Sequence, residues 1–180
     1  MSYCDFCIGL DDNHPDKVYH DNNYGFPITS DDELFGRLIL EINQAGLSWS
    51  MILKKESNFR EAFDGYKIAK IAKYDDVKIS ELLQNVGIIR NKLKINAVIH
   101  NANVIMGIQQ EKGSFVAWLN EIHPKSREEW TKIFKKTFKF TGGEIVNEFL
   151  MSSGYLQGAH QENCTIFDTV LKTQPKWLTK

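Results

Sequence analysis

Helix punctuation is the feature that most narrows what this chain can fold into. Ser30 stands three residues ahead of Glu33, the spacing of a capping box. In that motif a hydroxyl accepts from the third helical amide and the acid reaches back to the cap. Leu34, Phe35, Leu38, Ile39 and Ile42 then recur at three- and four-residue intervals as far as Ala45, ahead of Gly46, which is the period of one helix face. Similar signals predict a helix over 48–63 closed by Asp64-Gly65, short helices over 67–73 and 80–86, and a long one over 90–106 beyond Gly87. Further helices follow Ser114, open with a second box at Ser126 and Glu129 and run to Lys136, and span 143–153 before a left-handed stop at Gly154. No segment alternates apolar and polar residues between turn dipeptides as a strand does. The expectation is an all-α chain, a single domain over 1–180. Its ends, 1–25 and 155–180, read as irregular and need another means of being tied down.

With 180 residues and 42% apolar content, the chain can bury a core of its own. It contains no apolar run of about 18 residues, so no membrane span is expected. Its first residues lack the basic-then-apolar order of a secretory leader, which leaves a cytoplasmic setting as the expectation. The 3 cysteines cannot all pair within one chain. In a reducing compartment, clustered Cys and His are metal ligands or core residues. The net charge of −1 announces no nucleic-acid partner, but its distribution is uneven. Acids crowd 1–33 with Lys17 as the only base, whereas Arg90, Lys92 and Lys94 occupy 87–102 without an acid. A second basic stretch runs from Lys125 to Lys139. Two such patches fit a protein that touches a short length of phosphate backbone, and solvated helix faces are the plainer alternative.

Glu41 falls seven residues after Leu34 and three after Leu38, inside the apolar stripe of the helix over 31–45. A carboxylate there must be paired, protonated, or facing a polar hole, because burying it unpaired is very costly. A structural ion pair and the floor of a pocket are both open readings. The following loop, Gln44 to Trp49, presents Leu47 at the tip of a glycine turn. That position suits a wedge entering the space vacated by an extruded base.

The two ends carry metal-ligand candidates. His160 and Cys164 are four residues apart, and Cys4, Cys7, His14 and His20 lie at the other terminus. Two ligands from each end would close a tetrahedral zinc site, structural rather than catalytic because no position stays open. Spacing alone leaves Cys7 and His20 as alternatives for the second N-terminal ligand, and leaves buried cysteines with surface histidines as the metal-free reading. The stretch Leu82 to Lys92, with Gly87 in its turn, reads as helix, turn, helix, with amides at a helix start aimed outward at phosphate. No Asp occurs between Asp76 and Asp168.

Taken in order, Tyr19-His20-Asp21-Asn22, Gln44-Ala45-Gly46-Leu47-Ser48-Trp49, Leu53-Lys54-Lys55, Gly87-Ile88-Ile89-Arg90 and Phe138-Lys139-Phe140 closely resemble the DNA-3-methyladenine glycosylase I family from Cys4 to Cys164. The resemblance implies a helix-hairpin-helix fold, with the hairpin element at about 80–106, and one structural zinc held by Cys4, His20, His160 and Cys164, with Cys7 and His14 as bystanders. It implies Glu41 as the base-recognition acid and Phe6, Tyr19, Tyr24 and Trp49 as the base pocket. Leu47 is the implied wedge, and Gly87, Ile88, Ile89, Arg90 and Lys92 the phosphate-contacting turn. Like this chain, the family lacks the catalytic Asp of other helix-hairpin-helix glycosylases. The chain departs from it at Asn147 and Met151, where the family carries Tyr and Gln, and at Gly158-Ala159, where it carries Asn-Asp.

The implied activity is hydrolytic release of 3-methyladenine from alkylated double-stranded DNA by a monomeric enzyme. The base is a cation and a good leaving group, so selection and desolvation are the tasks, with stacking on Trp49 and Tyr24 and hydrogen bonds to Glu41. The competing reading is a non-enzymatic, zinc-stabilised DNA-binding or damage-sensing module, which has no need of Glu41 beside aromatics.

Overall fold

A computed structural model describes residues 2–179. Among them every regular element is a helix, as the punctuation predicts, and no helix is long and apolar enough to cross a membrane. In chain order they are α1 (Tyr3–Ile8), α2 (Pro15–Asn22), α3 (Asp31–Gln44), α4 (Trp49–Lys54), α5 (Glu56–Ala62), α6 (Ile68–Ile71), α7 (Asp76–Gln84), α8 (Lys92–Lys112), α9 (Phe115–Ile122), α10 (Arg127–Thr137), α11 (Gly143–Ser152) and α12 (Phe167–Lys172). Single 3-10 turns at Asp64–Tyr66 and Lys176–Leu178 complete the set.

α3 is the axis of the core. Leu34, Phe35, Leu38, Ile39 and Ile42 are fully buried, and the helix packs against α4, α5, α6, α8, α9 and α11. Gly36 lets the ring of Tyr66 lie flat on the helix, since a Cβ there would come within 2.3 Å of Tyr66 Cδ2. At the start of α3, Asp31 accepts from Gln109 Nε2 and from the amides of Phe115 and Val116 at 2.7–3.0 Å. One carboxylate thereby joins the starts of α3 and α9 to the end of α8.

Several sequence expectations are corrected. Ser30 does cap α3 by accepting from the Glu33 amide, but the reciprocal half of the box is missing, because Glu33 is drawn into a two-pronged pair with Arg60. The Ser126/Glu129 box is complete. The helix expected over 48–63 is two helices. They break at Lys55, whose ammonium reaches Val86 O and Gly87 O at 3.0 and 3.3 Å. The long helix starts at Lys92 and continues past 106 to Lys112 before Gly113 at φ +84°. The terminal segments are more regular than expected. Ser2 and Asp5 form a capping box on α1, His14 caps α2 ahead of Pro15, and α12 lies in the C-terminal segment. These helices are too short and polar to show a periodic apolar face.

Candidate functional site

The end of α3 is shaped from below by Lys94, which the charge pattern grouped with the outward basic residues. It is buried instead, donating from Nζ to Asn43 O and Ala45 O at 2.8 Å each. A cation on the last carbonyls of a helix satisfies orphan acceptors and opposes the negative end of its dipole. Beyond it Gly46 takes φ +84°, and Gln44 closes the loop by donating to Leu47 O. Leu47 is half-buried against the core rather than standing free. Ser48 then caps α4, placing Trp49 over the C-terminal end of α3.

These elements surround a cavity of about 350 Å³ lined by Glu41, Trp49, Tyr19, Tyr24, Tyr3 and Glu148, with Gly158 and Ala159 on one side. Tyr19 meets Trp49 edge-on at 5.0 Å between ring centres, and Tyr24 lies 5.7 Å from Tyr19. Of the residues expected to form a base pocket, Tyr19, Tyr24, Trp49 and Glu41 converge here. Phe6 does not line the cavity. It is 41% exposed and stacks on Tyr3, which stands on the lining in its place.

Glu41 is buried, and among the described residues no group hydrogen-bonds to it. Burial pushes its carboxyl up to about 8. Arg37, one turn back, opposes the rise and Glu148 adds to it. Arg37 is itself buried and donates from Nη1 to Tyr19 Oη at 3.0 Å and to Ser152 O at 3.1 Å. A guanidinium can only donate, so the Tyr19 hydroxyl accepts and keeps its own proton free. Glu148 accepts from the Tyr24 hydroxyl at 3.1 Å, and burial raises its carboxyl as well. Arg37 and Glu148 were not anticipated from the sequence. Arg37 sits three residues after Leu34 and four before Glu41, on the same apolar stripe, so the rule that singles out Glu41 also finds it. Asn147 and Met151 contact each other, with Nδ2 3.7 Å from Sδ, and neither is part of the lining. A larger cleft of about 690 Å³ lies on the far side of Tyr19 and Arg37, but its two carboxylates, Glu33 and Glu56, are tied to Arg60.

Next to the cavity the two chain ends meet. Cys4, His20, His160 and Cys164 present ligand atoms all within 4.8 Å of one another. Cys164 Sγ lies 3.5 Å from His160 Nδ1 and 3.7 Å from His20 Nε2, and Cys4 Sγ lies 3.8 Å from His160 Nδ1. A tetrahedral ion with ~2.3 Å bonds to sulfur and ~2.05 Å bonds to nitrogen holds its ligand atoms about 3.3–3.8 Å apart, which these three sulfur–nitrogen separations match. The outer ring nitrogens agree. His20 Nδ1 meets Asp21 Oδ1 at 2.6 Å and His160 Nε2 meets Tyr24 O at 2.7 Å. Both acceptors call for an N–H on the outer nitrogen, which in a neutral ring leaves the lone pair on the inward one, the arrangement of metal-bound imidazoles. Cys7 and His14 lie outside the cluster.

The α7–α8 connection leaves Arg90 and Lys92 exposed and Ile88 buried. Gly87 N–H is spent inside the turn on Asn85 Oδ1 at 2.8 Å. Asn91 caps α8, and among the described residues no acceptor meets the amides of Ile89, Arg90 and Lys92. The glycine is favoured by close contact rather than by a left-handed φ, since a Cβ would come within 2.9 Å of Asn85 Oδ1 and 3.1 Å of Asn58 Cβ.

The sequence model of the methyladenine glycosylase family matches residues 10–133. DNA-3-methyladenine glycosylase 1 of Escherichia coli is 34% identical over 169 residues, covering 83% of this chain and 90% of its own length. The DNA-3-methyladenine glycosylase of Haemophilus influenzae is 32% identical over 166 residues, covering 81% and 89%. Among solved structures, 3-methyladenine DNA glycosylase I of Staphylococcus aureus aligns with a TM-score of 0.79 at 29% identity, covering 89% of this chain and 94% of that one. A variant of 3-methyladenine DNA glycosylase I in complex with 3-methyladenine aligns at 0.81 and 28% identity, covering 92% and 97%. Fold and site define an all-helical protein with an acid-and-aromatic cavity beside a four-donor metal cluster. The chain belongs to the methyladenine glycosylase family.

Proposed function

We propose that this protein is a base-excision repair glycosylase that flips 3-methyladenine out of alkylated double-stranded DNA and hydrolyses its N-glycosidic bond. The observation that carries this reading is Glu41, a buried carboxyl with no hydrogen-bond partner among the described residues, facing a cavity walled by Trp49, Tyr19 and Tyr24. A site of about 350 Å³ is of the size that takes a small ligand. Electron-poor methylated adenine stacks on the aromatic walls, and Glu41 accepts from its N–H edge. In the reaction the C1′–N9 bond breaks, the base leaves as a neutral molecule with the bonding electrons, and water adds to C1′ and gives up a proton to solvent. Since N3 methylation already makes the base a good leaving group, no general acid is called for, and among the described residues no Asp lines the cavity. Displacing water around the flipped nucleotide strengthens each of these interactions.

On the DNA side, α7, its turn and α8 act as a helix-hairpin-helix element over about 80–106. The free amides of Ile89, Arg90 and Lys92, with the side chains of Arg90 and Lys92, hold phosphate without reading sequence, and Gly87 and Ile88 shape the turn. Leu47 enters the gap left by the flipped base. The metal cluster takes one zinc through Cys4, His20, His160 and Cys164. When bound, that ion supplies a closed structural link between the chain ends. The protein works as one domain and as a monomer in the cytoplasm, where its thiols stay reduced. The test is release of 3-methyladenine from methylated duplex DNA, with 7-methylguanine and hypoxanthine as control products. DNA binding without base release would favour a damage-sensing module instead.

A further inference from the structure

Two carboxyl groups face one cavity, Glu41 from α3 and Glu148 from α11. One buried cation, Arg37, adjoins them. Among the described residues it has no carboxylate within ion-pair distance, and its bonds go to a hydroxyl and a carbonyl. With both carboxyls ionised, these three charges leave one negative charge in excess, which a desolvated site tolerates poorly. Burial accordingly moves both carboxyls toward the protonated form. Burial outweighs the other groups around Glu148. Tyr24 and Asn147 are neutral hydrogen-bonding neighbours that oppose the rise without adding charge, while Arg127 and Glu144, acting from outside the cavity, pair with each other. Among the described residues, Arg37 and Glu148 are the charges that act on Glu41. The charge balance of the cavity therefore favours one proton on the carboxyl pair, which a ligand with a fixed positive charge can replace.

We propose that Glu148 is a second base-facing carboxylate and that, with Glu41, it selects purines that arrive as cations over neutral purines of the same shape, exchanging a bound proton for the charge of the ligand. The inference rests on reading this cavity as the base pocket. The exchange balances: a protonated carboxyl pair and a cationic purine give a doubly ionised pair around the cation and a proton released to solvent. A methylated adenine is cationic while joined to its sugar and becomes neutral once released, so the pair favours the damaged nucleotide over the product. The simplest competing role for Glu148 is to hold the Tyr24 ring through their hydrogen bond.

The test is calorimetric titration at about pH 8 of two probes, the fixed cation 3,9-dimethyladeninium and neutral 3-methyladenine, in buffers of different ionisation enthalpy so that released protons are counted. The wild-type protein is expected to bind the cation about tenfold more tightly than the neutral base and to release protons on doing so. Glu148→Gln, which keeps an acceptor for Tyr24, should lose most of that preference and of the proton release, while its affinity for the neutral base changes less than about threefold. Tyr24→Phe should retain the preference. Glu148→Ser serves if the glutamine variant does not fold. An unchanged cation-to-neutral ratio in the Glu148 variants overturns the inference, as does an equal loss in Tyr24→Phe, which would assign Glu148 to positioning Tyr24. If the wild-type protein also excises 3-methyladenine from DNA, only the inference falls. A wild-type protein that binds neither probe overturns the base-pocket reading as well.

Discussion

Replacing Glu41 by glutamine should make the free protein more stable and the enzyme worse. Burial raises this carboxyl from 4.5 to about 8, so the folded state holds its proton more tightly than the unfolded chain does. The stabilisation linked to that proton is complete below the unfolded value and drains away as pH rises through the folded one. At about 1.4 kcal/mol per pH unit, the loss reaches about 3 kcal/mol at pH 7 and at most about 5 kcal/mol above pH 8. Glutamine fills the same space without a proton to lose. Denaturant unfolding of both proteins from pH 5 to 9 should therefore give nearly matched stabilities at pH 5 and a gap in favour of Glu41→Gln that widens with pH. In the same preparations 3-methyladenine binding should weaken and excision should slow, because the amide presents one acceptor and no charge to the base. A stability gap that stays constant with pH, or a variant that keeps full affinity and activity, would refute the reasoning.

Other perturbations separate the parts of the account. Purified protein should carry one zinc per chain, and Cys164→Ser should lose it and raise protease sensitivity at both termini, as metal analysis and limited proteolysis would report. Lys94→Met removes the donor to two helix-end carbonyls and should cost about 2–4 kcal/mol in denaturant unfolding, with weaker base binding as the Gln44–Trp49 loop relaxes. Gly36→Ala forces a Cβ against the Tyr66 ring and should cost about 1–3 kcal/mol in the same assay. Arg90→Ala with Lys92→Ala should weaken DNA binding equally for all sequences and shallow its salt dependence by about two phosphate contacts, leaving free-base affinity unchanged.

The sequence exposes what local periodicity encodes. α3 and its misplaced acid are visible because buried helices repeat every three to four residues, and Arg37 and Lys94 obey the same rule. Lys94 belongs to the buried face of α8 with Ala97, Val98 and Asn101, so the rule that marks Glu41 also identifies it as inward. Counting charge along the chain instead grouped it with solvent-facing bases. Glu148 is less legible, since α11 buries Val146, Phe149 and Leu150 on either side of it and its direction depends on where α2 delivers Tyr24. The metal quartet is a long-range fact, in which residues 140 or more apart meet, and spacing alone could not choose between Cys7 and His20. The terminal helices carried caps, notably His14 before Pro15, but no apolar period to draw attention to them.

The central claim is that the cavity around Glu41 receives a methylated adenine and that the enzyme releases it. The most direct measurement is chromatographic identification of the bases freed from methylated duplex DNA by the intact protein, with Glu41→Gln alongside. 3-Methyladenine should be the dominant product, with little 7-methylguanine or hypoxanthine, and the variant should be markedly slower. Recovery of intact DNA with no free 3-methyladenine, from protein shown to be folded, would contradict it.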